Sequence, residues 1–258
     1  MAPSDPSEPR IFPAARQYWR EIASRSGSVA ATRGLLVALW EFARDSTPSR
    51  LRQRFGDADY DWDYRVNTTS GAVAWHDRLL GVLYSPYQPT EPALFHEILS
   101  ELSEQTKLNF ADFTFLDLGS GKGRTLLMAS DYPFRRIVGV ELLPALNRIA
   151  QENLSRYKAE SQKCFELESV CSDGSTFPLP NGPLVIYLFN PFSESVLSRA
   201  LENIAQNLRN NPRPAYVLYH NPQLERLLVE RPELKKIAGS HQYSIFSASI
   251  RSDSSQDD

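Results

Sequence analysis

Apolar residues along this chain follow two different periods, and the change between them divides it. Over 14–24 and 30–44 they recur at helical spacing, with Tyr18, Trp19 and Ile22 in the first stretch and Leu35, Leu36, Leu39, Trp40 and Phe42 in the second. This predicts two amphipathic helices whose aromatic side chains belong to a core. From residue 115 onward, short apolar runs alternate with helical stretches. Strands are predicted over 115–118, 136–140, 165–171, 183–189 and 215–219, and the unbroken run over 183–189 has the character of a strand buried on both faces. Helices are predicted over 91–104, with Thr90 as cap and Pro92 near the start, and over 125–130, 193–208 and 223–230. Two closing strands follow, over 234–238 and 243–249. Strands that alternate with helices in this way predict an α/β domain.

The strongest chemical signal lies where the strand over 115–118 breaks. Asp117 precedes three alternating glycines, Gly119, Gly121 and Gly123, and the chain then enters a helix. Glycine tolerates positive φ and lets the backbone approach a ligand, so strand, bend and helix describe a nucleotide-type pocket. A dinucleotide fingerprint would need its third glycine at 124, where Arg124 stands. A phosphate loop would need Ser or Thr after Lys122, where Gly123 stands. The pattern that fits is Asp-x-Gly-x-Gly-x-Gly, which resembles the class I S-adenosylmethionine-dependent methyltransferases.

That resemblance carries several implications. Asp117 would face the methionyl ammonium through a charge-assisted hydrogen bond, and Gly119, Ser120, Gly121 and Gly123 would line the cofactor. Glu141 ends the second strand, 22 residues after Gly119 (141 − 119), close to the interval of about twenty at which open α/β sheets place a ribose-binding acid. Leu142 would pack on the adenine and Asp173 would sit beside its amino group. Asn190, in the turn Asn190-Pro191-Phe192, matches the fourth motif of the family and is the candidate catalytic residue. Amino-methylating members commonly carry two prolines there and this chain carries one, which leaves the substrate class open. The stretch from Tyr84 to Thr90 is similar to one in a bacterial group that looks like the Dot1-related and mitochondrial lysine methyltransferases, and by that likeness Tyr87 and Thr90 would close over the cofactor. The resemblance implies a three-layer, Rossmann-like α/β fold with a seven-stranded, mostly parallel sheet and a helical N-terminal extension.

The expected organisation is a flexible tail over 1–13, a helical extension and possible lid over 14–83, the methyltransferase domain over 84–250 and a second tail over 251–258. Within the extension, acids and aromatics alternate over 57–65 without a helical stripe, which reads as a solvated loop or a substrate-facing lid. With 41% apolar residues the 258-residue chain can fill one large core with an appendage. A net charge of −3 provides no global field for nucleic acid, so a protein or small-molecule acceptor is favoured. Cys164 and Cys171 have neither metal-ligand nor framework spacing, so no metal and no disulfide is expected. The four histidines, His76, His96, His220 and His241, share no triad or metal spacing, and only His220, after the fifth strand, lies where it could meet substrate. Lys122 and Arg124 are read as solvent-facing or packing residues. No run is long enough to span a bilayer, and a cytoplasmic protein is expected. Two other classes remain open: a nucleotide-binding oxidoreductase, and a catalytically silent relative that only binds.

Overall fold

The structure is a computed structural model and describes residues 11–45, 58–69, 89–189 and 192–248. Seven strands form one sheet: β1 (Thr114–Leu118), β2 (Arg136–Glu141), β3 (Leu167–Cys171), β4 (Leu184–Phe189), β5 (Ala215–His220), β6 (Leu234–Gly239) and β7 (Tyr243–Ala248). Their order is β3-β2-β1-β4-β5-β7-β6. The first five pair in parallel, and β7 runs antiparallel between β5 and β6. The direction of strand succession reverses between β1 and β4. In open α/β sheets the crevice at such a switch, outside the carboxyl ends of the strands, is where ligands bind.

Two apolar layers explain why the central strands read as continuous runs. On one face Val185 and Tyr187 of β4 pack with Phe115 of β1, Leu218 of β5 and Ile245 of β7. Helix α3 (Pro92–Thr106) covers that face with Phe95, Ile98, Leu99 and Leu102. On the other face Ile186 and Leu188 pack with Leu116, Val217 and Phe246 beneath helix α6 (Glu194–Asn210), which contributes Leu197, Leu201, Ile204 and Leu208. Alternate residues therefore feed opposite layers, and each fully buried side chain of this size contributes about 1.5–3 kcal/mol.

Several boundaries differ from the pattern. Residue Glu91, not Thr90, is the cap of α3, and no side-chain bond closes it. Pro92 at the first helical position removes one of the amides that would need a partner. Strand β3 starts at Leu167, leaving Phe165 exposed at the sheet edge. Helix α4 (Arg124–Ala129) follows the glycines, α5 (Pro144–Arg156) packs on β2 and β3, and α7 (Arg226–Val229) is a single turn, shorter than the stretch 223–230. The pattern assigned no element to 144–156, because half of the buried side of α5 is polar: Asn147 and Asn153 lie beside Leu146 and Ala150.

Helix α1 (Ile11–Asp45) begins before residue 14 and breaks at Gly27, where φ is 83°. Its two arms correspond to the two helices expected over 14–24 and 30–44. Trp19 Nε1 donates to Thr32 Oγ1 across the break at 3.1 Å. The core reading of this stretch fails in part: Leu36 and Trp40 are 62% and 61% exposed, since the arms cover only one side of each other. Residues 58–64, expected as a loop or lid, form helix α2 (Ala58–Tyr64). Its side chains find partners far along the chain, which local periodicity does not register. The tails at 1–10 and 251–258 lie outside the described residues. No described helix is long and apolar enough to cross a membrane.

Candidate functional site

The glycine bend leaves β1 at the strand switch and lies against β2. Gly119 N and Ser120 N both donate to Val140 O, at 2.8 and 3.1 Å, and Gly123 N donates back to Ser120 O at 2.8 Å. All three glycines take positive φ, at 97°, 55° and 81°, a region that side chains disfavour. The bend sits this close because β2 carries a glycine of its own. A Cβ on Gly139 would meet Leu126 Cδ1 at 2.6 Å and Ser120 Oγ at 2.7 Å.

Two carboxyl groups are buried beside this bend. Asp117 is 2% exposed. Its Oδ2 accepts the Thr125 hydroxyl from α4, whereas Oδ1 has no partner among the described residues. Burial raises its pKa to about 7, with the charge of Glu141 adding to the rise and the Thr125 hydroxyl opposing it. Glu141 accepts Gly121 N on one oxygen and Leu143 N on the other, each at 2.8 Å. Burial raises its pKa as well, against the lowering effect of the amides of Leu143, Gly121 and Leu142. The Ser120 hydroxyl is likewise buried with no partner among the described residues. The bend therefore gathers an uncommitted carboxylate oxygen, an uncommitted hydroxyl and an acid already oriented by backbone.

Across the switch the character changes. The Tyr187 hydroxyl of β4 lies 2.7 Å from Nδ1 of His220 on β5, and 3.5 Å from the Thr90 hydroxyl. Phe189 stacks on the His220 ring at 3.9 Å and 6°. Burial lowers the His220 pKa to about 4, so the imidazole is neutral at pH 7, and burial holds the Tyr187 phenol protonated well above its usual range. Thr90 thus reaches the site not as a helix cap but through Tyr187. Leu142 is half-buried just after β2. Asp173 lies in the turn after β3, where Oδ1 accepts both the amide and the hydroxyl of Ser175 at 2.8 and 2.7 Å. Tyr87 and Asn190 lie outside the described residues.

Lys122 and Arg124 are 0% and 2% exposed, so the solvent-facing reading of these two cations is wrong. Arg124 Nε donates to Thr68 Oγ1 at 2.7 Å, and its guanidinium lies 4.6 Å over the Tyr60 ring and 3.5 Å from Asp61. Lys122 Nζ donates to Asn67 Oδ1 at 3.0 Å and to Thr69 O at 2.5 Å. Burial lowers the lysine pKa to about 8, opposed by the charge of Asp61, and lowers that of Arg124 to about 10.

Residues 88–169, from the approach to α3 through β3, match the family model described as histone methylation protein DOT1. Over that stretch the chain is similar to the Dot1-like methyltransferases. Among solved structures, an RNA methyltransferase from Salinibacter ruber in complex with S-adenosyl-L-homocysteine is 20% identical, with a TM-score of 0.41 over 66% of this chain and 98% of that one. A putative S-adenosyl-L-methionine-dependent methyltransferase from Methanococcus maripaludis is 16% identical, with a TM-score of 0.45 over 62% of this chain and 88% of that one. The YcgJ protein of Bacillus subtilis is 18% identical, with a TM-score of 0.37 over 52% of this chain, which spans only 55% of that one. Likeness at this level carries no inference about substrate. No curated protein matches the sequence.

The structure brings together Asp117, the three glycines, Ser120 and Glu141, and places Thr90 beside Tyr187 on the β4 side of the switch. Three participants escaped the sequence reading. Thr125, which holds Asp117, is the second residue of helix α4, where a hydroxyl carries no special signal. Tyr187 lies inside an apolar run and reads as core. Gly139 did leave a mark, since a lone glycine within a strand indicates a close backbone approach.

Proposed function

We propose that this protein is a methyltransferase that uses S-adenosylmethionine as methyl donor and acts on an amine, with a protein lysine as the favoured acceptor. The reading rests on one observation above the rest: a buried carboxylate oxygen, Asp117 Oδ1, that no described residue satisfies, directly before a glycine bend. An ammonium is the natural partner for such an oxygen. The other residues fit the same ligand. Each oxygen of Glu141 spends one lone pair on an amide, and a carboxylate has about four acceptor sites, so two ribose hydroxyls remain within its capacity. Leu142 and Asp173 would border the adenine, and Tyr87 and Thr90 would close the site.

The bound cofactor supplies a methyl group already activated by a sulfonium. The chain's task is then to align the nucleophile, exclude water and accommodate one proton. Asn190 would orient the amine by accepting an N–H on its side-chain carbonyl. The neutral His220 and the protonated Tyr187 add no charge to that side of the crevice. A lysine, with a reference pKa of about 10.4, is driven toward its free-base form by such surroundings. The family model's concern with histone methylation supports a protein acceptor, and the net charge of −3 argues in the same direction.

Calorimetry with S-adenosylmethionine and S-adenosylhomocysteine, followed by a labelled-methyl screen against protein, nucleic-acid and metabolite fractions, tests both halves of the proposal. Binding of both sulfur compounds and label in the protein fraction are expected. Binding of a nicotinamide dinucleotide with neither sulfur compound bound would overturn the cofactor, and label confined to nucleic acid or metabolites would overturn the acceptor.

A further inference from the structure

We propose that Asp61, Asn67 and Asn153 are positioning residues for the cofactor site, acting on the glycine bend through Lys122 and Arg124. This rests on the cofactor reading above and goes beyond the glycine motif itself. A buried cation is strongly destabilising unless it is paired and hydrogen-bonded. Lys122, inside the bend, and Arg124, at its exit, draw much of that compensation from one short segment more than fifty residues upstream, as the contacts from Tyr60 to Thr69 show. Asp61 organises that segment. Its two oxygens accept the amides of Thr68 and Thr69, at 2.7 and 2.8 Å, and the Thr68 hydroxyl, while one of them also faces Arg124.

Asn153 of α5 closes the arrangement from the other side. Its Nδ2 donates to Lys122 O and to Asn67 O, both at 2.9 Å, and its Oδ1 accepts Asn67 N at 2.8 Å. One side chain thereby ties the backbone of the bend to the backbone of the upstream segment. The bend is pinned on its inner side by Val140 and Glu141 and on its outer side by residues 61–69. Its amides meet a ligand already oriented, which lowers the ordering penalty of binding. Coupling of this kind is reciprocal, so a ligand that orders the bend must also stabilise the segment that holds it.

The test uses the full chain and S-adenosylhomocysteine. Asp61→Asn removes the charge facing Arg124 and weakens the acceptor for two amides. Its dissociation constant is expected to rise between about fivefold and a hundredfold, the usual span of coupling between sites. Asn153→Ala leaves every charge in place and is expected to shift affinity in the same direction; it is the deciding variant if Asp61→Asn does not fold. Hydrogen exchange over 58–69 in the wild type is expected to slow when S-adenosylhomocysteine is added, which a merely structural contact would not produce. Unchanged affinity in the folded variants, or exchange over 58–69 indifferent to the ligand, overturns this inference alone. A wild type that binds neither S-adenosylmethionine nor S-adenosylhomocysteine overturns the cofactor reading and this inference with it.

Discussion

The two halves of the crevice, on either side of the β1/β4 switch, are shaped by the same force to opposite ends. On the β1/β2 side burial acts on carboxyl groups and raises their pKa, bringing Asp117 to about 7. On the β4/β5 side burial acts on an imidazole and lowers its pKa to about 4. Desolvation disfavours the charged form in both cases. The consequence differs because one half keeps an acceptor oxygen open and the other ties its polar groups into a Tyr187–His220 pair. On the function proposed above, the half with an unsatisfied carboxylate would receive a cation, and the neutral, aromatic half would keep a nucleophile uncharged. On that reading charge is handled on the donor side and shape on the acceptor side.

The sharpest way to break this contrast is to delete the open carboxylate. Asp117→Ala is expected to weaken S-adenosylmethionine binding by about 1.5–3 kcal/mol, the range for hydrogen bonds to charged groups, which is roughly ten- to a hundredfold in the dissociation constant. Calorimetry reads it directly, and retained affinity would remove Asp117 from the site. Gly139→Ala comes next and tests whether the bend needs its close seat on β2. The new Cβ would lie 2.7 Å from Ser120 Oγ and 2.6 Å from Leu126 Cδ1. An overpacked site of this kind is destabilised by about 1–3 kcal/mol, visible as a lower denaturant midpoint together with weaker cofactor binding. A variant as stable as wild type would show that the bend has room to move.

What the pattern of residues revealed, and what it hid, follows the same division between local and distant causes. The run over 183–189 announced a central strand because both its faces meet apolar layers, Asp117 was visible because it stands before three alternating glycines, and Glu141 because it terminates an apolar run. Helix α2 was invisible for the opposite reason. Asp61, Tyr60 and Tyr64 read as a polar-aromatic alternation, and Arg124, Tyr157 and the Thr68–Thr69 turn, all outside the helix, give them partners. The burial of Lys122 and Arg124 has that same origin. A lysine and an arginine flanking a glycine suggest solvent until the partner segment is brought up against them. Helix α5 hid behind its own asparagines, of which Asn153 serves the bend rather than the core.

The pH dependence of binding sharpens the contrast further. If Asp117 must be ionised to hold an ammonium, and its pKa without ligand stands at about 7, affinity should fall as pH drops below that value. Between pH 8 and pH 6 a loss approaching tenfold is expected, since each unit below the pKa protonates about nine-tenths of the remaining carboxylate. Stability of the ligand-free chain should move the other way. A carboxyl whose folded pKa is raised binds a proton that the unfolded chain has already lost, so its contribution declines as pH rises from about 4 to about 7. Titration calorimetry at three pH values and a denaturation series without ligand would show the two slopes. Parallel slopes would mean that Asp117 is not the group that titrates.

The smallest effect belongs to the other half. Tyr187→Phe keeps the ring that packs against Phe95 and Phe115 and removes only the hydroxyl that meets His220 Nδ1. A net loss of about 1 kcal/mol in stability is expected for one hydrogen bond. Because Phe189 still stacks on the imidazole, the ring keeps its plane but loses the partner that fixes its tautomer. Donor affinity should stay within a factor of two, while methyl transfer slows, separating the two halves in one variant. Equal losses in donor affinity and in turnover would show that the crevice acts as a single unit, and the contrast between a charged half and a neutral half would fail.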